Sequence, residues 1–317
     1  MKTLIPRPAM VLEAASESEG MPWLKELLWF IMVGAAAILL QTILSFIAEL
    51  VYVGTLDESI LEDPDLLTLP SYVSAMLLIR LFSAAGILLV PILYCRFVEK
   101  RPLATMGLRR PHAVRELLLG AAVGIGLFGA ALGLLLLTGA AAVRPAAAVS
   151  VPALLAFFLA YCIQGSAEEV LFRGYLCVSL SRRSPMPAAV LLSSLLFAAG
   201  HLANDGLSVL ALVNLTLFGV FSSLYMLRRG SLWGICILHA LWNFVEGNVF
   251  GAAVSGTETG ASLLVTQAVG ASPLLSGGAF GPEGGLCVTI VFAAGIAVLL
   301  FVPQTGAGAE PAVEEAE

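Results

Sequence analysis

Two adjacent glutamates, Glu168 and Glu169, lie in a run otherwise apolar enough to enter a membrane, with Arg173 four residues further on. At the centre of a spanning helix each charge costs about 2.5–3.5 kcal/mol on insertion scales, so three facing lipid cost about 8–10 kcal/mol. A chain keeps such groups where they face a protein interior, pair with one another or perform chemistry. Two of the three histidines also fall in apolar runs: His201 closes Phe197-Ala-Ala-Gly-His201, and His239 opens His239-Ala-Leu-Trp-Asn243. A carboxylate, two imidazoles and an amide suffice to deprotonate a water, orient it and donate to an oxyanion, the needs of peptide hydrolysis. On that reading Glu168 is the base, His201 orients the water, and His239 with Asn243 donates to the oxyanion. The same types allow a metal route, with zinc on Glu168, His201 and His239 and a fourth position open, although no H-E-x-x-H motif is present. The cofactor is therefore none or zinc.

Helical geometry sharpens the set. Glu169 and Arg173 are spaced i,i+4 and share a face, which makes them an ion pair. Glu168 points about 100° away and is left out of that pair. His239 and Asn243 share a face by the same spacing. At a rise of about 1.5 Å per residue, Glu168, His201, His239 and Asn243 lie roughly 18, 20, 12 and 18 Å from one end of their helices, a common layer. One Glu–Arg pair could be structural glue, and one histidine a simple interhelical hydrogen bond. Three helices bringing polar groups to one depth point to a site. Glu49, Asp205, Arg80 and Glu246 are read as structural, and His112 as interfacial.

These residues need elements to hold them, and the composition says which. The 317 residues are 59% hydrophobic and only 12% charged, about half the charged fraction of soluble domains. That makes the chain an all-α, polytopic transmembrane helix bundle. Eight segments approach the roughly 20 apolar residues a span needs: 26–53, 72–95, 116–138, 152–180, 187–204, 207–227, 231–249 and 286–303. With the N-terminus inside, thirteen of the sixteen Lys and Arg fall in inner segments and only Arg144 in an outer one, with Arg80 and Arg173 inside spans. The positive-inside rule then gives N-in/C-in, which an even number of spans allows. The net charge of −6 argues against a nucleic-acid partner. The five scattered cysteines read as small packed residues. Gly120/Gly124 and Gly129/Gly133 are small-xxx-small pairs for helix packing.

Glu168-Glu169-x-x-x-Arg173, Phe197-x-x-x-His201 and His239-x-x-x-Asn243, in that order on successive apolar helices, resemble the motifs of the CPBP (Abi/CAAX protease) family of intramembrane endopeptidases. The resemblance covers residues 99–250. It implies a helical bundle with a conical cavity open toward cytoplasm and bilayer. It also implies Glu168 as catalytic acid/base, with His201, His239 and Asn243 around the reacting carbonyl. The chain then divides into a cytoplasmic segment 1–25, two N-terminal spans within 26–98, a catalytic core 99–250, a Gly/Ser-rich outer loop 251–285, a last span 286–303 and an acidic tail 304–317. The segment 99–115 is expected to lie along the inner interface. The expected activity is hydrolysis of a membrane-associated protein or peptide by a multi-pass protein of the plasma membrane. CAAX processing is the family's eukaryotic role; the bacterial-looking composition widens the substrate to membrane or secreted peptides. The alternatives are a non-proteolytic scaffold or regulator, which does not require all four polar groups, and a proton-coupled transporter, for which internal repeats are missing.

Overall fold

The longest apolar runs form the longest helices. In this computed structural model, which describes residues 7–18, 20–61, 65, 70–270 and 273–302, the helices in chain order are α1 (Ala9–Glu17), α2 (Trp23–Val53), α3 (Glu58–Leu61), α4 (Pro70–Ser83), α5 (Ala85–Leu93), α6 (Ala113–Leu137), α7 (Val151–Glu169), α8 (Val178–Ser181), α9 (Met186–Ala199), α10 (Val209–Arg229), α11 (Trp233–Phe244), α12 (Pro273–Ser276) and α13 (Leu286–Phe301). π-helical turns at Tyr94–Val98, Val170–Cys177 and Val245–Val249 prolong α5, α7 and α11. Local chemistry sets the boundaries. Ser150 and Ser208 cap α7 and α10 by accepting the N–H groups of Ala153 and Ala211, which would otherwise lack partners. Gly230, at φ +62°, ends α10 in the left-handed conformation that glycine adopts without strain.

The chain is a multi-pass, mostly helical membrane protein. Each of the eight expected segments holds a helix. Five helical runs are long and apolar enough to cross a bilayer: Trp23–Val53, Ser71–Val98, Ala113–Leu137, Val151–Ser181 and Val209–Arg229. The remaining three are shorter, because α9 stops before Gly200, α13 starts only after Gly285, and α11 with its π turn reaches only from Trp233 to Val249. In its most apolar stretch α10 is 61% buried and α2 only 17%. The first is therefore the central post of the bundle, between α9 and α13, and the second lies at its edge.

Glycine sets the closest approaches. A Cβ on Gly120 would lie 1.9 Å from the Gly234 carbonyl oxygen, and one on Gly124 2.7 Å from that of Leu238, so α6 packs backbone to backbone on α11. Gly129 and Gly133 meet nothing within 4 Å. Of the two small-residue pairs, only the first packs helices. Across the other face of α11, Gly165 brings α7 close enough that a Cβ there would sit 2.9 Å from the Ala240 nitrogen.

Two expectations change at the ends of the bundle. The 99–115 segment does not lie flat throughout. Arg101 and Met106 are fully buried, with Arg101 bonded to Glu99 at 2.5 Å, Ser179 at 3.1 Å and Thr105 at 3.2 Å. Arg182 joins this cluster through Glu26 at 2.9 Å and Glu99 at 2.8 Å, and α1 lays Met10, Val11 and Ala14 into the core beside it. A buried arginine is retained where carboxylates and hydroxyls complete its fork. Arg110, His112 and Arg115 are exposed, as an interfacial position requires.

At the opposite end the fold contains strands. β1 (Ala141–Pro145) and β2 (Leu264–Ala268) pair antiparallel from Ala141↔Ala268 to Pro145↔Leu264, tying the α6–α7 connection to the 251–285 loop. That loop caps the bundle, folded by left-handed glycines such as Gly256 and Gly281, whose Cβ positions would overlap the carbonyls of Asp205 and Ala253. Lys2 and the acidic tail 304–317 lie outside the described residues.

Candidate active site

Glu168 and Glu169 end the regular part of α7, just before its π turn; such wide turns recur at functional sites. The two carboxylates diverge, as their spacing on a helix requires. Glu169 is fully buried; its Oε1 accepts from His239 Nδ1 at 2.9 Å, and its Oε2 forms an ion pair with Arg173 Nε at 3.2 Å that is not aligned as a hydrogen bond. Glu168 turns the other way. Its Oε1 accepts from Gln164 Nε2 at 2.5 Å, and its Oε2 has no hydrogen-bond partner and stands 3.8 Å from His239 Nε2. Gln164 Oε1 in turn accepts from Asn243 Nδ2 at 3.0 Å. One oxygen of Glu168 is thus anchored through a chain from Asn243, and the other has no hydrogen-bond partner.

Both histidines are oriented the same way. A carboxylate can only accept, so the Nδ1 of His239 carries the proton and Nε2 faces Glu168. His201 is not inside a helix, as 187–204 implied, but in the turn after α9. Gly200 and His201 tighten that end with bonds to the Phe197 and Ala198 carbonyls. The Phe197 oxygen, near the helix end, also accepts from His201 Nδ1 at 3.0 Å. A carbonyl cannot donate, so His201 too presents Nε2.

Aromatic rings hold the set. The Arg173 guanidinium lies 4.3 Å from the centroid of Phe197 and 5.6 Å from that of Phe218. Phe197 also meets His201 at a tilt, 4.9 Å between centroids, and Phe218 meets His239 edge to face at 4.7 Å. Arg173 is fully buried. It combines one carboxylate with two ring faces, the environment that desolvated cations favour.

Glu168, His201, His239 and Asn243 all line a single cavity of about 320 Å³. Glu169 and Arg173 stand behind its wall. Phe172 lines the cavity as well, as do Ser255, Thr257 and Glu283 of the 251–285 loop. The loop from which the sequence yielded no chemistry is therefore part of the wall. Glu283 accepts from Trp242 Nε1 at 2.9 Å and from Ser255 N and Oγ at 2.8 and 2.5 Å. Sequence reasoning also missed Gln164, although its i,i+4 spacing to Glu168 is a usable signal. Arg80, taken as structural, lines the cavity as well. Glu246 is fully buried without a hydrogen-bond partner.

Rings that present Nε2 are what a metal ion would need. The donors do not converge for one: among the described residues no three His, Cys, Asp or Glu side chains come together to hold an ion.

Residues 150–245 match a family model described as type II CAAX prenyl endopeptidase Rce1-like. The match runs from the cap of α7 to the end of α11 and contains all six candidate residues, the stretch that carries the motif resemblance. No curated protein matches the chain.

Proposed function

We propose that the chain is an intramembrane endopeptidase of the CAAX-protease type, hydrolysing a peptide bond of a membrane-associated protein or peptide in the plasma membrane. The Rce1-like match supports the coarse activity. The observation that carries the finer reading is the asymmetry of Glu168, with Oε1 anchored by Gln164 and Oε2 unbonded, 3.8 Å from His239 Nε2. That gap suits a water within reach of both atoms.

In this reading Glu168 Oε2 takes a proton from the water as its oxygen attacks the carbonyl carbon. The tetrahedral oxyanion accepts from the Asn243 amide, whose second N–H is free of the Gln164 bond. Glu168 then delivers its proton to the departing amine as the C–N bond breaks. His201, offering Nε2 across the cavity, orients the water. His239 does the same while neutral, and once protonated it donates from the same atom. Glu169 holds the ring for either task, and Arg173 holds Glu169. No step is routed through a metal. The expected topology is eight spans with both ends inside.

The test is quantitative proteomics of membranes carrying wild type or Glu168→Gln. A cleavage product lost with the substitution supports the reading. Identical peptide ends in both membranes would leave a binding or regulatory scaffold in its place.

A further inference from the structure

Arg80 is an arginine lining the cavity that the proposed chemistry does not use. It lies in α4, about 14 Å from the start of the Ser71–Val98 run by helical rise, deep enough that an unsatisfied cation is costly. Its neighbours fix the direction of its face. Leu77, Arg80, Leu81, Ala84 and Ile87 follow one another at helical spacing, and all line the cavity that holds Glu168. Arg80 is thus on the cavity-lining stripe of its helix, at the edge of the cavity, with its side chain still exposed. Among the described residues no carboxylate, hydroxyl or aromatic ring partners its guanidinium. Gln41 of α2 bonds only to the Arg80 backbone carbonyl, at 3.3 Å. Among the described residues, the buried and half-buried arginines Arg101, Arg173, Arg182 and Arg229 are matched by carboxylates: Arg101 by Glu99, Arg173 by Glu169, Arg182 by Glu26 and Glu99, and Arg229 by Glu116.

We infer that Arg80 is the specificity residue of the cavity, and that it binds a carboxylate of the peptide substrate. A guanidinium fork is matched to a planar carboxylate by two parallel N–H···O bonds. The carboxylate is either a chain terminus or an Asp or Glu side chain. This rests on the reading of the cavity as a peptide site. It gives the N-terminal helices, outside residues 150–245, a share in choosing the substrate. Glu168 then acts at a bond displaced from the anchored carboxylate by the span between α4 and α7.

The test reads binding, so it survives a failure of the protease reading. Full-length protein in lipid nanodiscs is titrated with dye-labelled apolar decapeptides of one sequence: one with a free C-terminal carboxylate, one amidated, and one amidated with a single internal Glu. Dodecyl phosphate serves as a lipid-headgroup competitor. One or both carboxylate peptides are expected to bind wild type roughly ten- to a hundred-fold tighter than the neutral one, the worth of a charge-assisted pair. Which of them does so tells a terminus from a side chain. That preference is expected to disappear in Arg80→Gln and to persist in part in Arg80→Lys. Thermal unfolding of each variant is followed in parallel; if Arg80→Gln fails to fold, the Arg80→Lys result decides. Equal binding of charged and neutral peptides by wild type, including none, overturns the inference. So does a preference that is intact in the Arg80 variants, or an Arg80-dependent displacement by dodecyl phosphate as strong as that by the carboxylates.

Discussion

The carboxylate of Glu283 accepts the indole N–H of Trp242 at 2.9 Å, joining the loop after α11 to the residue next to Asn243. The same carboxylate holds Ser255 by its backbone and its hydroxyl. One side chain therefore fixes both the cap of the cavity and the helix that supplies two of its polar groups.

Removing that carboxylate should loosen both. Glu283→Ala leaves a buried indole N–H without an acceptor, and lost bonds to charged groups cost about 1.5–3 kcal/mol each. Thermal unfolding should shift down, and amide exchange should rise across 251–263. Glu283→Gln should keep most of the stability. Unchanged exchange in the alanine variant would show that the loop is held by other contacts.

Arg173→Ala strands Glu169 in a site with no exposure to solvent. Losing one partner of a buried pair costs about 3–5 kcal/mol, so stability should fall together with activity. Arg173→Ala combined with Glu169→Gln should recover stability in part, because the neutral amide needs no counter-charge. A double variant no more stable than the single one would contradict the pairing.

The chemistry is separable by substitution and by chelation. Glu168→Gln should lower turnover about 10²–10⁴-fold, the usual worth of a positioned acid/base, and His201→Ala should be comparably damaging. Asn243→Ala should lose about 10²–10³-fold as an oxyanion donor. Activity should persist in strong chelator, and purified protein should hold no stoichiometric zinc. Inactivation by chelator with recovery on added zinc would reassign Glu168, His201 and His239 as ligands.

Topology is tested from outside. An accessibility tag within 256–263 and another at the C-terminus should report on opposite faces of the membrane. Finding both on one face would rule out eight crossings.

What the sequence revealed was local. The i,i+4 spacing of Glu169 and Arg173 and the divergence of Glu168 follow from one helix's geometry, and the structure retains both. The ring contact of Phe197 with His201 is also one turn long. What escaped depends on distant partners or on breaks in regularity. Nothing in a glycine-rich loop announces that Glu283 meets Trp242 forty-one residues away. The π turns and the early end of α9 change no apolar pattern, so His201 read as helical. The two glycine pairs of α6 are alike in spacing, and only the position of α11 tells which one is used.

The contact at Gly165 has a mechanical meaning. Where a methyl group would strike the Ala240 nitrogen at 2.9 Å, two backbones run side by side one helical turn from Glu169 and one residue from His239. The grip of that carboxylate on the imidazole is gauged by a missing side chain rather than by either partner. A larger residue at 165 would act as a wedge, spreading the helices and unhooking the ring while every charged group stayed in place.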